Sequence, residues 1–120
     1  MFRRDVRLFL QDMLEAIDRI ERYTAALSFE QFEANDLVAD AVVHNLEIIG
    51  EAVRYIPPDL LGRYPGVNWT RVVGFRNVVI HAYFDVDLQI VWTIAAEGLP
   101  SLRVVLQQMM HDLNLRDANP

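Results

Sequence analysis

The sequence LVADAVVHNLEIIGEAVRYI, residues 37–56, carries the clearest structural pattern in the chain. Its apolar side chains recur every three or four residues, at Val38, Val42, Leu46, Ile49, Val53 and Ile56. That spacing is typical of the buried face of an α-helix. Pro57 and Pro58 follow at once, and proline disfavours helix in the residue before it. The stretch is therefore predicted to form one long helix that ends at the prolines.

The segment before this helix has the same period. Residues 3–27 alternate apolar and polar side chains at helical spacing, which predicts a first long helix. Ser28 is followed three residues later by Gln31, the pattern of a capping box. Residues 28–34 are therefore predicted to form a short additional helix.

The second half of the chain is also predicted to be helical. Asn68 and Asp87 stand where N-caps of a third and a fourth helix are expected, after a loop at residues 58–67. Pro100 is expected to kink or restart the fourth helix, and the tail after His111 is expected to fray. No strand-like alternation or internal repeat is present in the sequence. The predicted fold is all-α, an antiparallel four-helix bundle with a short additional helix.

Composition narrows the class of protein. A chain of 120 residues with 52% hydrophobic residues is predicted to form one folded domain, residues 1–120. It contains no cysteine, which excludes disulfides and thiolate chemistry. No apolar run reaches the length of a signal peptide or a membrane span, so we expect a cytoplasmic protein without membrane contact.

The charge balance argues against a general nucleic-acid binder. The net charge is −6, whereas proteins that bind nucleic acid along a broad surface carry a basic face. Arginine is the basic residue used, since the chain has no lysine. If RNA binds, it is expected at a local patch, with Arg71 and Arg76 as the leading contacts and Arg54 and Arg63 behind them.

Residues 76–83, RNVVIHAY, bring an arginine, an imidazole and a phenol into one short stretch. The planar fork of Arg76 is suited to phosphate oxygens, and His81 has the side chain that exchanges protons near neutral pH. These groups suffice to break an RNA phosphodiester without a metal, because RNA supplies its own 2′-hydroxyl nucleophile. An equally simple interpretation is a surface ion pair beside a half-buried aromatic residue, Tyr83.

Helical geometry complicates the catalytic interpretation. On an ideal helix Arg76 and Tyr83 lie about 20° apart, whereas Arg76 and His81 are splayed by about 140°. Asn77 and His81, four residues apart, do align. Arg76 and His81 therefore converge on one phosphate only if the helix loosens near His81 or if a second subunit brings its own copies close.

The order and spacing of these residues resemble a known family. Residues 68–102, NWTRVVGFRNVVIHAYFDVDLQIVWTIAAEGLPSL, and residues 41–57, AVVHNLEIIGEAVRYIP, are similar to the HEPN superfamily, specifically to the HepT-type toxins of HepT/MntA toxin–antitoxin pairs. The hallmark of that family is Arg, four residues, His, one residue, Tyr, which Arg76, His81 and Tyr83 match.

Two positions depart from the family pattern. His44 stands where arginine is common before the Asn-Leu-Glu run, and Ala82 stands where an acidic residue is common. The first change removes a permanent positive charge, which would weaken the attraction for RNA. The second change removes a carboxylate next to His81, and how this alters proton exchange by His81 is left open.

The resemblance implies a HEPN-like ribonuclease toxin of a type VII toxin–antitoxin system. Such an enzyme cleaves RNA without a metal by 2′-hydroxyl attack, with His81 handling protons and Arg76 stabilising the phosphoryl charge. It also implies a homodimer with facing motifs, and an MntA-like nucleotidyltransferase antitoxin that uses ATP and Mg²⁺ to attach AMP to Tyr83. The chain itself would need no cofactor, and transfer RNA or messenger RNA would be its substrate.

Each site residue also has a structural interpretation. His81 could simply interact with a helix dipole, and Tyr83 could be a core aromatic residue. Arg76 could form a salt bridge to Glu47 or Glu51, which is compatible with catalysis because a carboxylate can orient a guanidinium. Asn77 could orient the phosphate or His81, or lie at the surface.

The pair Glu47 and Glu51 invites a metal interpretation, with His44 nearby. Its order and number do not match the carboxylate-bridged di-iron pattern of helical bundles. We therefore expect no metal, and expect both carboxylates to support the site of Arg76 and His81. Trp69 and Trp92 are interpreted as packing residues.

A second function of a different class is open at this point. The chain could be a non-catalytic helical dimer that docks a partner nucleotidyltransferase and assists it. Its acidity and the missing cation at His44 favour this alternative.

Overall fold

The structure, a computed structural model, describes residues 4–76 and 87–118. Its regular elements there are helical: α1 (Val6–Thr24), α2 (Phe29–Glu33), α3 (Asp36–Val53), α4 (Pro58–Leu61), α5 (Trp69–Val73), α6 (Leu88–Thr93), a π-helical segment (Ile94–Gly98) and α7 (Leu99–Ala118). No strand is found within these ranges. The predicted all-α bundle is thereby confirmed.

Side-chain caps begin the helices where the sequence predicts them. Ser28 Oγ accepts from the backbone N–H of Gln31 at 3.1 Å, and the Gln31 side chain accepts from the Ser28 N–H at 2.8 Å. Asn68 caps α5 and Asp87 caps α6, each by accepting a backbone N–H of the first turn. Such caps satisfy donors that have no partner inside the helix. The short helix α4 differs, because it begins after Pro57 without a side-chain cap.

The core is built mainly from α1, α3 and α7. The most extensive contact is between α1 and α3, and α7 covers the other side of α1. The largest fully buried side chains on these helices are Leu10, Met13, Ile17, Ile20, Val42, Leu46, Ile49, Val53, Leu99, Leu106 and Met109. Burying this apolar surface provides the main favourable free energy of folding.

The two tryptophans pack as predicted. Trp92 lies against the rings of Phe29 and Phe32, with centroid distances of 6.2 Å and 5.2 Å. Trp69 donates its indole N–H to the backbone carbonyls of Leu61 and Tyr64, which ties the loop before α5 to that helix.

The C-terminal tail differs from its prediction. Helix α7 continues to Ala118 and does not fray after His111. Tertiary contacts hold it: the Tyr64 hydroxyl donates to Asp112 at 2.5 Å, and Arg7 of α1 pairs with Asp117. The prediction was wrong because these partners lie far away along the chain, so that local composition gave no sign of them.

The start of α7 is irregular. The N–H of Leu99 donates to the carbonyl of Ile94, five residues back, which defines a π-helical turn before Pro100. Pro100 then lies in the first turn of α7, where its missing N–H is tolerated. None of the described helices is long and apolar enough to cross a membrane.

Candidate active site

Arg76 lies against helix α3 at a point where the two backbones approach closely. A Cβ atom added to Gly50 of α3 would lie 3.1 Å from both the Cγ and the backbone nitrogen of Arg76. It would also lie 3.2 Å from the carbonyl oxygen of Val72. Glycine therefore allows the chain after α5 to rest on α3, and this packing sets where the Arg76 side chain begins.

The guanidinium of Arg76 is oriented by a carboxylate of α3. Its Nε lies 3.0 Å from Oε2 of Glu51, and about two fifths of each side chain is exposed, 39% and 40%. The same oxygen lies 3.4 Å from Nη1 of Arg54. Glu51 is the one carboxylate partner of Arg76 among the described residues. A guanidinium fork can bind two oxygens of a phosphate side by side.

Arg76 and Glu51 face an open cleft of about 470 Å³ between α1 and α3, which we call the Arg76 cleft. Its lining comprises Arg4, Phe9 and Asp12 on one side, His44, Glu47, Ile48, Glu51, Ala52 and Tyr55 on the other, and Arg76. Arg4 pairs with Asp12 at 2.6 Å, so both arginines of the cleft are partly neutralised. Glu47 is exposed and has no ion-pair partner in the described part of the chain.

The cleft contains an aromatic feature that the sequence reasoning missed. The rings of Phe9 and Tyr55 are stacked, with centroids 5.2 Å apart and planes 11° apart. Cζ of Arg4 lies 4.8 Å from the Phe9 centroid on this assembly. One signal was available in the sequence, because Glu47, Glu51 and Tyr55 recur every four residues along one helical face.

The structure does not bring the two leading RNA-contact candidates together. Arg71 is exposed and lines a different cleft, between α5 and α7, with Asn68, Glu97 and Ser101. Arg76 lines the cleft between α1 and α3. Arg71 lies on α5, whereas Arg76 follows the end of that helix at Gly74, and their side chains line different clefts. Of the predicted set, the Arg76 cleft joins Arg76 with Glu47 and Glu51.

The remaining predicted site residues, Asn77, His81 and Tyr83, lie outside the described residues. Their roles, and the effect of Ala82, stay predictions. No group of three or more histidines and carboxylates in residues 4–76 and 87–118 could hold a metal ion. The expectation that the chain needs no cofactor is likewise untested.

The sequence profile of the family described as Ribonuclease HepT-like matches residues 13–109. The chain belongs to the HepT-like ribonuclease family. The HEPN and HepT resemblance is thereby confirmed, and so is the enzyme class, a ribonuclease.

Several relatives align over most of their length. MJ1380 of Methanocaldococcus jannaschii, provisionally named an RNase, is 40% identical over 103 residues, which cover 86% of this chain and 94% of that protein. MJ1216 of the same organism, also provisionally an RNase, is 37% identical over 119 residues, 99% and 98% of the two chains. A Thermococcus cleftensis protein provisionally named ribonuclease HepT is 40% identical over 95 residues, 79% and 86% of the two chains. No solved structure matches the chain.

Proposed function

We propose that this chain is a metal-independent RNA endonuclease and the toxin of a type VII toxin–antitoxin pair. The observation that carries the proposal is the oriented guanidinium of Arg76. Glu51 holds its Nε at 3.0 Å, and the Arg76 side chain, 39% exposed, lines an open cleft. His81 follows five residues later in the chain. Arg76 would hold the phosphate, and His81 of the same subunit or of a second copy would bring its imidazole to it.

The proposed reaction needs only proton transfer and charge stabilisation. The 2′-hydroxyl oxygen of a ribose attacks the adjacent phosphorus, and the bond from phosphorus to the 5′-oxygen breaks. A His81 imidazole takes up the hydroxyl proton, and a protonated His81, the same residue or that of a second copy, supplies the proton to the leaving 5′-oxygen. Arg76 stabilises the negative charge that grows on the non-bridging phosphoryl oxygens. The products are a 2′,3′-cyclic phosphate and a 5′-hydroxyl, from transfer RNA or messenger RNA.

A homodimer is part of the proposal. Arg76 and His81 are splayed by about 140° on a regular helix, and a single His81 would have to serve both proton transfers. Two copies with facing motifs would supply a second imidazole and bring both residue types to one phosphodiester. Facing arginines would repel each other, and Glu51 offsets part of that charge.

We also propose that Tyr83 is the point of control. An MntA-like nucleotidyltransferase, using ATP and Mg²⁺, would join AMP to its hydroxyl with release of pyrophosphate. The new phosphodiester anion, seven residues from Arg76 in the chain, would compete with RNA for the same guanidinium. If the antitoxin silences Y83F as completely as the wild type, the modification part of the proposal is wrong.

The first test is cleavage of total cellular RNA by the purified chain in the presence of EDTA. The wild type is compared with H81A and with H111A, which removes an exposed histidine outside the motif. We expect the wild type and H111A to cut and to leave 2′,3′-cyclic phosphate ends, and H81A to leave RNA intact. Circular dichroism and the measured mass establish that the variants are folded and that Tyr83 is unmodified.

The docking alternative makes the opposite prediction. The charges of the Arg76 cleft favour it, because three carboxylates, Asp12, Glu47 and Glu51, line the cleft beside two paired arginines. It predicts that the wild type and H81A leave RNA equally intact, while the dimer and the antitoxin complex still form. That result would support a helical partner that assists a nucleotidyltransferase and would reject the nuclease.

A further inference from the structure

We propose that the exposed ring face of Tyr55 is a nucleobase-stacking subsite in the Arg76 cleft. The inference rests on the proposed ribonuclease function and names where one base of the RNA is held. The ligand is an unpaired base next to the phosphate that Arg76 binds.

The first support is the layered arrangement of side chains. Phe9 stacks against one face of Tyr55 at 5.2 Å and 11°, and Arg4 lies 4.8 Å from the Phe9 centroid. Asp12 holds Arg4 at 2.6 Å. Tyr55 is nevertheless 59% exposed, so its second face is open to solvent. A ring already supported from behind loses little freedom when a base stacks on it, which favours binding.

The second support is the contrast between Tyr55 and Tyr64. The Tyr64 hydroxyl donates to Asp112, and that side chain is half-buried at a helix contact. The Tyr55 hydroxyl has no hydrogen-bond partner among the described residues, and the residue is 59% exposed although Phe9 covers one face of its ring. Packing alone accounts for Tyr64, whereas it leaves the open face of Tyr55 without a role.

The third support is the position of Tyr55 just after α3. Glu51 lies in the last turn of α3, and Tyr55 follows in the next turn, where its N–H donates to the carbonyl of Ala52 at 3.1 Å. Both side chains line the Arg76 cleft. Glu51 marks the position of the Arg76 guanidinium. A nucleotide whose phosphate meets Arg76 would therefore have its base within reach of Tyr55, since phosphate and base are separated by one sugar.

The charges of the cleft are consistent with a phosphate at Arg76 and a base at Tyr55. Glu47 and Asp12 would repel a second phosphate, but a base is neutral. Carboxylates also accept hydrogen bonds from the amino groups of bases. The cleft thus fits one phosphate at Arg76 with a base beside it, and it does not fit a backbone that runs along its length.

The test uses an RNA that cannot be cut. A short 2′-O-methyl oligoribonucleotide lacks the attacking hydroxyl, so that binding is measured without cleavage. A 2-aminopurine within it loses fluorescence when it stacks on an aromatic ring. The variants are Y55A, Y55L, which keeps apolar bulk on Phe9, and Y55F, which keeps the ring. Y23A removes another exposed tyrosine, 38% exposed and outside the cleft, and is the matched control.

We expect the wild type, Y55F and Y23A to bind the probe with quenching. Y55A and Y55L should bind roughly 5- to 150-fold more weakly and without that quenching. Y55L provides the same comparison if Y55A does not fold. Equal binding and quenching by the wild type and Y55L, or no binding by the wild type, would overturn the subsite.

Cleavage assays separate the two proposals. Quenching that depends on Tyr55, in a wild type that cuts no RNA, supports the subsite and removes the nuclease. Cleavage that is as efficient in Y55L as in the wild type keeps the nuclease and removes the subsite.

Discussion

Arg76 is positioned twice, at its backbone by Gly50 and at its guanidinium by Glu51. Both partners lie on α3, one residue apart, so that a single helix sets where the side chain starts and which way it points. The Glu51 contact is exposed and adds at most about 1 kcal/mol to stability. We therefore expect the Glu51 contact to affect cleavage activity more than stability, because it sets the direction in which the Arg76 guanidinium points.

R76K tests the importance of the fork. Lysine keeps the positive charge but has no planar pair of donors, so a bidentate phosphate contact is lost. We expect cleavage to fall by about 100-fold or more, with an unchanged circular dichroism spectrum. R22K, at an exposed position in the last turn of α1 and outside the Arg76 cleft, is the control. Unchanged cleavage by R76K would mean that a point charge is enough.

G50A tests the close approach of α3 and the Arg76 backbone. Alanine at a helical glycine is normally favourable by about 1 kcal/mol, but here the added methyl meets backbone atoms at 3.1–3.2 Å. Overpacking of this kind costs about 1–3 kcal/mol. We expect G50A to lower the free energy of unfolding by up to about 2 kcal/mol, measured in urea, and to reduce cleavage by displacing Arg76.

G98A is the matched control for G50A. Its new methyl would meet only Cγ2 of Ile94 at 3.9 Å, an ordinary contact. It should be as stable as the wild type or slightly more so. A gain of stability in G50A equal to that in G98A would show that α3 has room at Gly50.

At the scale of elements, a loop and a terminal helix hold each other in place. Tyr64, between α4 and α5, donates to Asp112 of α7, and Gln108 donates to the other carboxylate oxygen. Burial and the adjacent Asp112 raise the pKa of Tyr64 from 10.0 to about 12. The same hydrogen bonds lower the pKa of Asp112.

The raised pKa of Tyr64 predicts a loss of stability at alkaline pH. Between about pH 10 and pH 12 the unfolded chain releases the phenol proton while the folded chain retains it. Since the folded state then binds more protons, the free energy of unfolding falls as the pH rises through this window. Y64F should show a smaller fall, measured by denaturation. Its tyrosinate absorbance should also lack the component with a midpoint of about 12. Identical alkaline behaviour of the two proteins would contradict this.

At the scale of the whole molecule, RNA affinity must come from few contacts. The net charge is −6, and the arginines of the Arg76 cleft are each paired with a carboxylate. A protein of this kind is repelled by most of an RNA chain and attracted at one place. The acidity would then suppress binding to RNA in general, which is useful in an enzyme that selects unpaired sites.

The salt dependence of the RNA-binding constant measures how many phosphates the protein contacts. Contact with one or two phosphates predicts that the logarithm of the binding constant falls with the logarithm of salt concentration with a slope of about −0.7 to −1.4. Titration of the 2′-O-methyl probe at several ionic strengths gives the slope. A value steeper than about −3 would require more than four phosphates, and hence a cationic face that the described residues do not form.

Local chain chemistry accounts for much of the fold and for part of the site. The caps at Ser28, Asn68 and Asp87 are interactions between near neighbours, which spacing predicts. The candidate partners of Arg76 were Glu47 and Glu51, which lie on the polar side of a helix whose apolar side is buried, but the choice of Glu51 depends on how the chain after α5 packs on α3. The motif from Arg76 to Tyr83 was recognised by its order in the chain.

Tertiary packing decided the rest. Some contacts join residues that are far apart in the chain. They are the ring stack of Phe9 on Tyr55 and the contacts of Tyr64 and Arg7 with α7. Their pairing depends on how α1, α3 and α7 rotate as they bury their apolar faces, and no local spacing specifies that rotation. The separation of Arg71 from Arg76 has the same origin, because α5 packs beside α7 at Arg71, whereas the chain after α5 rests on α3 at Arg76. Chain periodicity thus determines the helices, whereas the packing of α1 on α3 creates the cleft in which Arg76, Glu51 and Tyr55 meet.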